Sequence, residues 1–409
     1  MNHVAHNERG IALVITLLVV ALLTITVIEF TYSVQVDQHM ARNALSGLQA
    51  SLLARSGINL GEAFLLHDSD FTVDAFTEDW CPDPAGDGHA CHIDETSGQV
   101  MLPQNMRLKV QIVDEGGKLN LNMVRFTSQR QWNDWRTNRN GDPKTQGSLH
   151  PLLDWQSALE QLLSSRGLPP EIAEQVLDYW DAVFQARFAP GDTGSATSPG
   201  RTPPPVAIGT PDPITTAQLQ QLEFASLDDA AVIPGMTQSA INKLRPVLTA
   251  LPSSLQPKVN ANTAPVTVLN AIVGDDEVAG NIVSQRSETP LKPGDLGSLT
   301  AGLNRSGTGP AGHNYATVML GVTSQFYQVR ASGVVNPNPI TGRGGIGRSA
   351  TMLVRRTRRA ATQGNSASAV PWTLIQLDWQ KEGGAALFQA QGDQDPDMQD
   401  QPAMPGAGG

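Results

Sequence analysis

Glu8-Arg9-Gly10-Ile11-Ala12-Leu13-Val14-Ile15-Thr16-Leu17-Leu18-Val19-Val20-Ala21-Leu22-Leu23-Thr24-Ile25-Thr26-Val27-Ile28 is the stretch on which the reading of this chain turns. From Ile11 to Ile28, 18 consecutive positions carry no charge, Gly or Pro, and only Thr16, Thr24 and Thr26 interrupt the apolar run. At about 1.5 Å per residue the run reaches roughly 27 Å, slightly less than a hydrocarbon core of about 30 Å, so it predicts a membrane segment with little to spare. The short polar stretch Met1–Gly10 ends on Arg9 beside that run, which predicts a cytoplasmic N-terminus and a bulk on the far side. A cleaved secretory signal has an apolar stretch of about 7–15 residues and ends at a small-x-small site; this run is longer and the helical pattern continues past it. Ala41, Leu45, Leu48, Leu52 and Ile58 keep near-helical spacing, with Arg42, Gln49, Arg55 and Glu62 between them. The spacing predicts one continuous helix over about Ile11–Leu66.

Beyond the helix, 409 residues suffice for two packed units with linkers. A net charge of −11 repels phosphate backbones and argues against nucleic acid as a partner. Cys81 and Cys91 are the two cysteines, in a segment rich in Asp, Gly and Pro. That usage suits a disulfide in an oxidising compartment; a metal set completed by His89 and His92 and a pair of free thiols are the alternatives.

Glu8-Arg9-Gly10 followed by Ile11-Ala12-Leu13-Val14 resembles the processing site of type IV pilins and pseudopilins. The resemblance implies cleavage by a prepilin peptidase after Gly10, leaving Ile11 as the new N-terminus. Most members carry a glutamate at the position held here by Ile15. A carboxylate in lipid is costly unless paired, so its loss suits a subunit with no earlier neighbour to pair with. That departure, together with Val110-Gln111-Ile112-Val113-Asp114-Glu115-Gly116-Gly117-Lys118-Leu119-Asn120-Leu121-Asn122, is similar to the K-type minor pseudopilins of the bacterial type II secretion system. The resemblance implies an α+β fold: a spine helix, a small antiparallel sheet and a large helical insertion with helix-hairpin-helix-like units. It divides the chain into a leader at 1–10, the spine at 11–66, a Cys loop with the first strands at 67–125, the helical domain at 126–320, closing strands at 321–360 and a C-terminal segment at 361–409. It implies no enzymatic activity but a part at the tip of a pseudopilus, starting or capping its assembly for protein export across the outer membrane. The protein would be single-pass in the inner membrane with its bulk periplasmic. The implied partners are I- and J-type minor pseudopilins, the prepilin peptidase and the inner-membrane assembly platform, with Ile15, Leu18, Ala21 and Leu22 packing laterally in the membrane. A type IV minor pilin or a DNA-uptake protein would share this N-terminus.

Local patterns place the remaining elements. Arg107–Val113 alternates as a strand, Asp114–Gly117 reads as a turn and Lys118–Val124 as a second strand, which predicts a hairpin. Leu152–Arg166 and a segment from Pro169-Pro170 to Asp181 have helical period. Ala189–Pro213 reads as a linker, Gln325–Val335 and Ala350–Arg356 as strands, Trp372–Trp379 as one more strand or a docking segment, and Gln389–Gly409 as a disordered tail. Ile233–Thr237 and Asn260–Gly274 suggest helix-hairpin-helix units, the fold that meets phosphate in DNA-binding proteins. Ser226–Thr289 carries four basic and six acidic residues, so a scaffold role is expected of them. Gly342–Gly347 matches GxGxxG between two strands and reads as a loop. Asp178 and Asp181 resemble the start of an acidic, calcium-associated segment of K-type relatives; Val183 and Phe184 stand where further acids would be, and calcium takes six to eight oxygens. GxSxG, HExxH, a Walker loop and a DxDxDG loop are all absent from the sequence.

Overall fold

The computed structural model describes residues 8–68, 70, 72–81, 90–94, 100–138, 150–188, 222–301, 303, 315–337, 345–358 and 372–383. The leader up to residue 7, the body of the Cys loop, the 189–213 linker, the first half of the GxGxxG loop and the 389–409 tail lie outside them. In chain order the elements are α1 (Glu8–His67), β1 (Cys91–Asp94), β2 (Met106–Asp114), β3 (Leu119–Asn120), α2 (Gln129–Asn138), α3 (His150–Ser165) and α4 (Ile172–Phe188). They continue with α5 (Gln238–Leu244), β4 (Leu248–Thr249), β5 (Val259–Asn260), α6 (Val266–Val273), α7 (Asp276–Glu288), α8 (Pro293–Leu299) and α9 (Tyr315–Met319). The last are β6 (Leu320–Gly321), β7 (Phe326–Val335), β8 (Ile346–Arg358) and β9 (Trp372–Gly383). The fold is α+β, as expected.

Five strands form one antiparallel sheet in the order β1-β2-β7-β8-β9. The C-terminal half of α1 lies across its inner face. Period-2 alternation in β2 turns Leu108, Val110 and Ile112 inward, and β7 does the same with Tyr327, Val329 and Ala331; they meet Ala54, Ile58 and Leu65 of the helix. Contact is close because Gly57 and Gly61 open a notch in α1: a Cβ on Gly61 would stand 2.5 Å from Val329 Cγ1. A side chain there would force the helix off the sheet.

The expected hairpin after β2 does not form. β3 pairs in parallel with β4, 129 residues on, and not with β2. The alternation of Lys118–Val124 is that of a strand only in pattern. Asp114 turns the chain by accepting the Gly116 amide at 2.8 Å, and Asn120 then accepts the Asn122 amide at 3.1 Å, opening a 3-10 turn over Leu121–Met123.

From this point the chain builds two helical units on one plan. Lys118-Leu119-Asn120-Leu121-Asn122 starts the first and Lys258-Val259-Asn260-Ala261-Asn262 the second. In each, the second Asn brackets the backbone of a distant residue: Asn122 binds both N–H and C=O of Phe224, and Asn262 both of Leu291. Each unit closes with a short parallel pair, β3 with β4 and β5 with β6. The two units share one hydrophobic core, distinct from the core between α1 and the sheet. The chain leaves the sheet at Asp114 and returns at Phe326, whereas Gly333, at the other end of β7, lies against Ala50 and the turn at Asn336 donates to Ser46 Oγ. Because Ser46 and Ala50 are nearer the apolar segment than Leu65 is, the helical units sit at the end of the spine far from the apolar segment.

Candidate functional site

Three features of the spine and its junction carry the chemistry. Along the apolar segment Leu18 and Leu22 are each 63% exposed and Ile15 57%, with Ala21 exposed between them. The Thr16, Thr24, Thr26 and Thr31 hydroxyls donate to backbone carbonyls one turn back, at 2.7–2.9 Å, so polar groups on this surface are satisfied within the helix. No acidic residue precedes Glu29 within 11–28. Gly10 and Ile11 lie in the first turns of α1, which begins at Glu8. Past the membrane-length run, Leu45, Leu48 and Leu52 are also more than half exposed, on the side of α1 turned away from the sheet.

At the other end of α1 the two cores meet through charge. Arg356, on β8, falls on the inward face with Ala350, Met352 and Val354 and is fully buried. Its guanidinium donates to Asp68 Oδ2 at 2.6 Å and to Tyr327 Oη at 2.8 Å, and it contacts Asp74. Tyr327 Oη donates to Asp74 Oδ1 at 3.0 Å, and the Ser324 amide to Asp74 Oδ2 at 2.6 Å. Burial lifts the Asp68 carboxyl above its ordinary range in spite of the Arg356 charge, and it raises the Tyr327 phenol further. A third buried carboxylate, Asp114, accepts from Asn260 Nδ2, Thr263 Oγ1 and Ser324 Oγ at 3.0, 2.5 and 2.7 Å. Burial pushes its pKa up as well, against the pull of those donors. Gly116 is required beside this hub, since a Cβ there would meet Ser324 Oγ at 2.3 Å. The stretch Val110–Asn122 thus joins sheet to insertion: Asp114 binds the second unit, Lys118 pairs with Glu115 at 2.5 Å, Thr249 donates to Glu115 at 2.8 Å, and the two Asn residues pin the first unit.

The helix-hairpin-helix turns are closed on themselves. Gly274, at φ +70°, lets α6 turn into α7, and Asp275 accepts the amides of Glu277 and Val278. The amides that would meet a phosphate therefore already hold a carboxylate. In the other unit Thr237 accepts the Ala240 amide.

Asp178 and Asp181 stand one turn apart on α4. The Asp181 carboxylate accepts from Trp132 Nε1 at 2.7 Å and Gln185 Nε2 at 2.8 Å and faces Arg136 at 3.5 Å. A carboxylate so engaged, beside a guanidinium, does not fit calcium. Cys81 and Cys91 are both buried in the core between spine and sheet. A cleft of about 530 Å³ between the first helical unit and the sheet is lined by Glu115, Lys118, Asp228, Arg245 and Arg330 among others. Asp228 is held by Arg245 at 2.5 Å, as Glu115 is by Lys118, and among the described residues no His or Cys lines the cleft.

Sequence reasoning missed the Asp68–Asp74–Arg356 junction. Its one local signal is an arginine on the apolar parity of a strand.

A membrane-length helix that runs on as the spine of an antiparallel sheet, with its polar groups internally satisfied, is the arrangement expected of a pilin-like subunit, here enlarged by a helical insertion. Residues 117–253, which coincide with the first helical unit from its opening turn to just past β4, match the family described as Type II secretion system (T2SS), protein K. The first helical unit is thus similar to the domain of type II secretion protein K. Among solved structures, a chain of the crystal structure of the GspK-GspI-GspJ complex from enterotoxigenic Escherichia coli Type 2 Secretion System matches at 16% identity, with a TM-score of 0.48, over 84% of this chain and 99% of that one. No curated protein matches this sequence.

Proposed function

We propose that this chain is a minor pseudopilin that sits at the tip of the type II secretion pseudopilus, where it starts or caps assembly and takes no catalytic part. The observation that carries the reading is the position of the helical insertion: it leaves and rejoins the sheet at the membrane-distal end, over the end of the spine. A subunit stacking above would meet the insertion in place of a free helix end. Ile15 supports the same reading from below, since a first subunit has no preceding N-terminal amine for a carboxylate to pair with. In this arrangement Ile15, Leu18, Ala21 and Leu22 pack in lipid against the helices of I- and J-type minor pseudopilins, by van der Waals fit. The prepilin peptidase cuts between Gly10 and Ile11, the assembly platform receives the processed chain in the inner membrane, and a Cys81–Cys91 disulfide suits the periplasmic bulk. The self-capped hairpins and the acidic surface support scaffold use over DNA binding.

The test is to label the chain at an exposed position of the insertion, such as Lys243, and image pseudopili. A single label at one end is expected; label distributed along the shaft would overturn the reading. Replacing Gly10 by Leu should leave the leader uncut and stop secretion.

A further inference from the structure

The segment 73–80 belongs to both cores at once. Val73 and Ala75 are buried in the core of the helical units, while Phe76 and Trp80 are buried in the core between spine and sheet. One side chain fixes the turn between the residues that enter the two cores: Glu78 Oε2 accepts the Ala75 amide at 2.8 Å and Trp80 Nε1 at 3.1 Å, both within the segment. The backbone of the same segment holds the second unit, with the Asp74 amide donating to the Val322 carbonyl at 2.8 Å and Asn260 Nδ2 to the Asp74 carbonyl at 2.8 Å.

Asp68 and Asp70 act on Glu78 directly, its carboxylate lies within 4.8 Å of those of Asp68 and Asp74, and the other charges of the junction stand around this group. Asp68 and Asp70 follow α1, Asp74 lies on the segment itself, Asp114 ends β2, Tyr327 is on β7, Arg356 on β8, and Lys292, before α8, acts on Asp70. Arg356 is shared by Asp68 and Asp74, so ionising Glu78 adds a negative charge to a place where one guanidinium already serves two carboxylates.

We infer that Glu78 is a proton-operated clamp between the spine-and-sheet body and the helical insertion, closed when its carboxyl is neutral and loosened when it ionises. Burial first, then the Asp68 and Asp70 charges, move its pKa from 4.5 up to about 7, against the pull of its two hydrogen bonds. The sign follows from linkage. The closed state holds a proton that the opened state releases, so the clamp is firmest below about 4.5 and is lost progressively up to about 7, above which both states are ionised and the effect levels off. The inference stands apart from the tip reading, because it concerns how the insertion is held and not what it meets.

Hydrogen exchange of the full chain in detergent micelles, corrected for intrinsic rates and read on peptides covering 72–81 and 322–328, tests it. Protection is expected to fall by up to about tenfold per pH unit on the approach to pH 7 and then to level off. Glu78→Gln, which keeps the acceptor oxygen without the charge, should remove the slope near neutrality, and Asp79→Asn should leave it intact. A flat wild-type profile, a Glu78→Gln profile as steep as wild type, or loss of the slope in Asp79→Asn would each overturn the clamp.

Discussion

Arg356 shows how much of this molecule is held by a few buried charges. Replacing it with Met keeps the volume and removes the guanidinium, leaving Asp68 and Asp74 buried without the cation they share. Breaking a buried pair from one side costs about 3–5 kcal/mol, because the remaining charge is uncompensated. Denaturant unfolding of Arg356→Met at pH 7.5 should show a loss of that order. The loss should shrink as pH is lowered, since protonated carboxyls need no cation; a loss that does not depend on pH would mean that packing, not charge, is the role of Arg356. None of this was legible in the sequence, because the partners are 288 residues apart and nothing local pairs Asp68 with Arg356. What could be read was the fold signature Val110–Asn122, whose reasons only the structure supplies: Asp114 as a four-donor hub, Gly116 as the space beside it and Asn120 and Asn122 as pins on distant backbone.

Among the elements, α1 was the most legible, because an uncharged run and a long helical period are properties of neighbours in sequence. β7 and β8 were legible for the same reason, each alternating between an apolar inner face and a mixed outer one. Lys118–Val124 was misread because alternation cannot distinguish a strand from two residues of β3 followed by an Asn-capped turn. The recurrence of Lys-(Leu/Val)-Asn-x-Asn at Lys118 and Lys258, which marks the two helical units, was present in the sequence and went unread because the intervening segments share no length. The exposed face of α1 carries its own prediction. A charge near the middle of a membrane helix costs about 2.5–3.5 kcal/mol on insertion scales, so Leu18→Asp should reduce membrane incorporation and cross-linking to other minor pseudopilins by tenfold or more. Leu48→Asp lies outside the apolar run and should leave membrane incorporation unchanged while weakening cross-linking through the Leu45–Leu52 stripe. Equal loss of incorporation in both would place the bilayer boundary elsewhere on α1.

At the scale of the whole molecule, the chain is two cores joined by a polar seam, and the seam makes a decisive experiment available. Asp114 faces Tyr327 directly in the register of β2 and β7, so the two strands are adjacent where the insertion leaves. Excising 116–325 and joining Glu115 to Phe326 through an Asn-Gly turn would convert the junction into an ordinary hairpin, which two-residue turns of that type close without splaying the strands. The excision removes the partners of Asp114 and uncovers Val73 and Ala75, so Asp114→Asn, Val73→Thr and Ala75→Ser would accompany it to avoid an orphaned carboxyl and an exposed apolar patch. The trimmed body keeps α1, the five-stranded sheet and their separate core; cooperative melting would establish that it folds before function is read. If the insertion is what stops a further subunit from docking above, the trimmed protein should still enter the membrane and still meet its partners, yet no longer be confined to one end of the filament. A trimmed protein that folds, incorporates and remains at a single end would show that the capping property lies in the spine, with Ile15 the first residue to exchange for Glu.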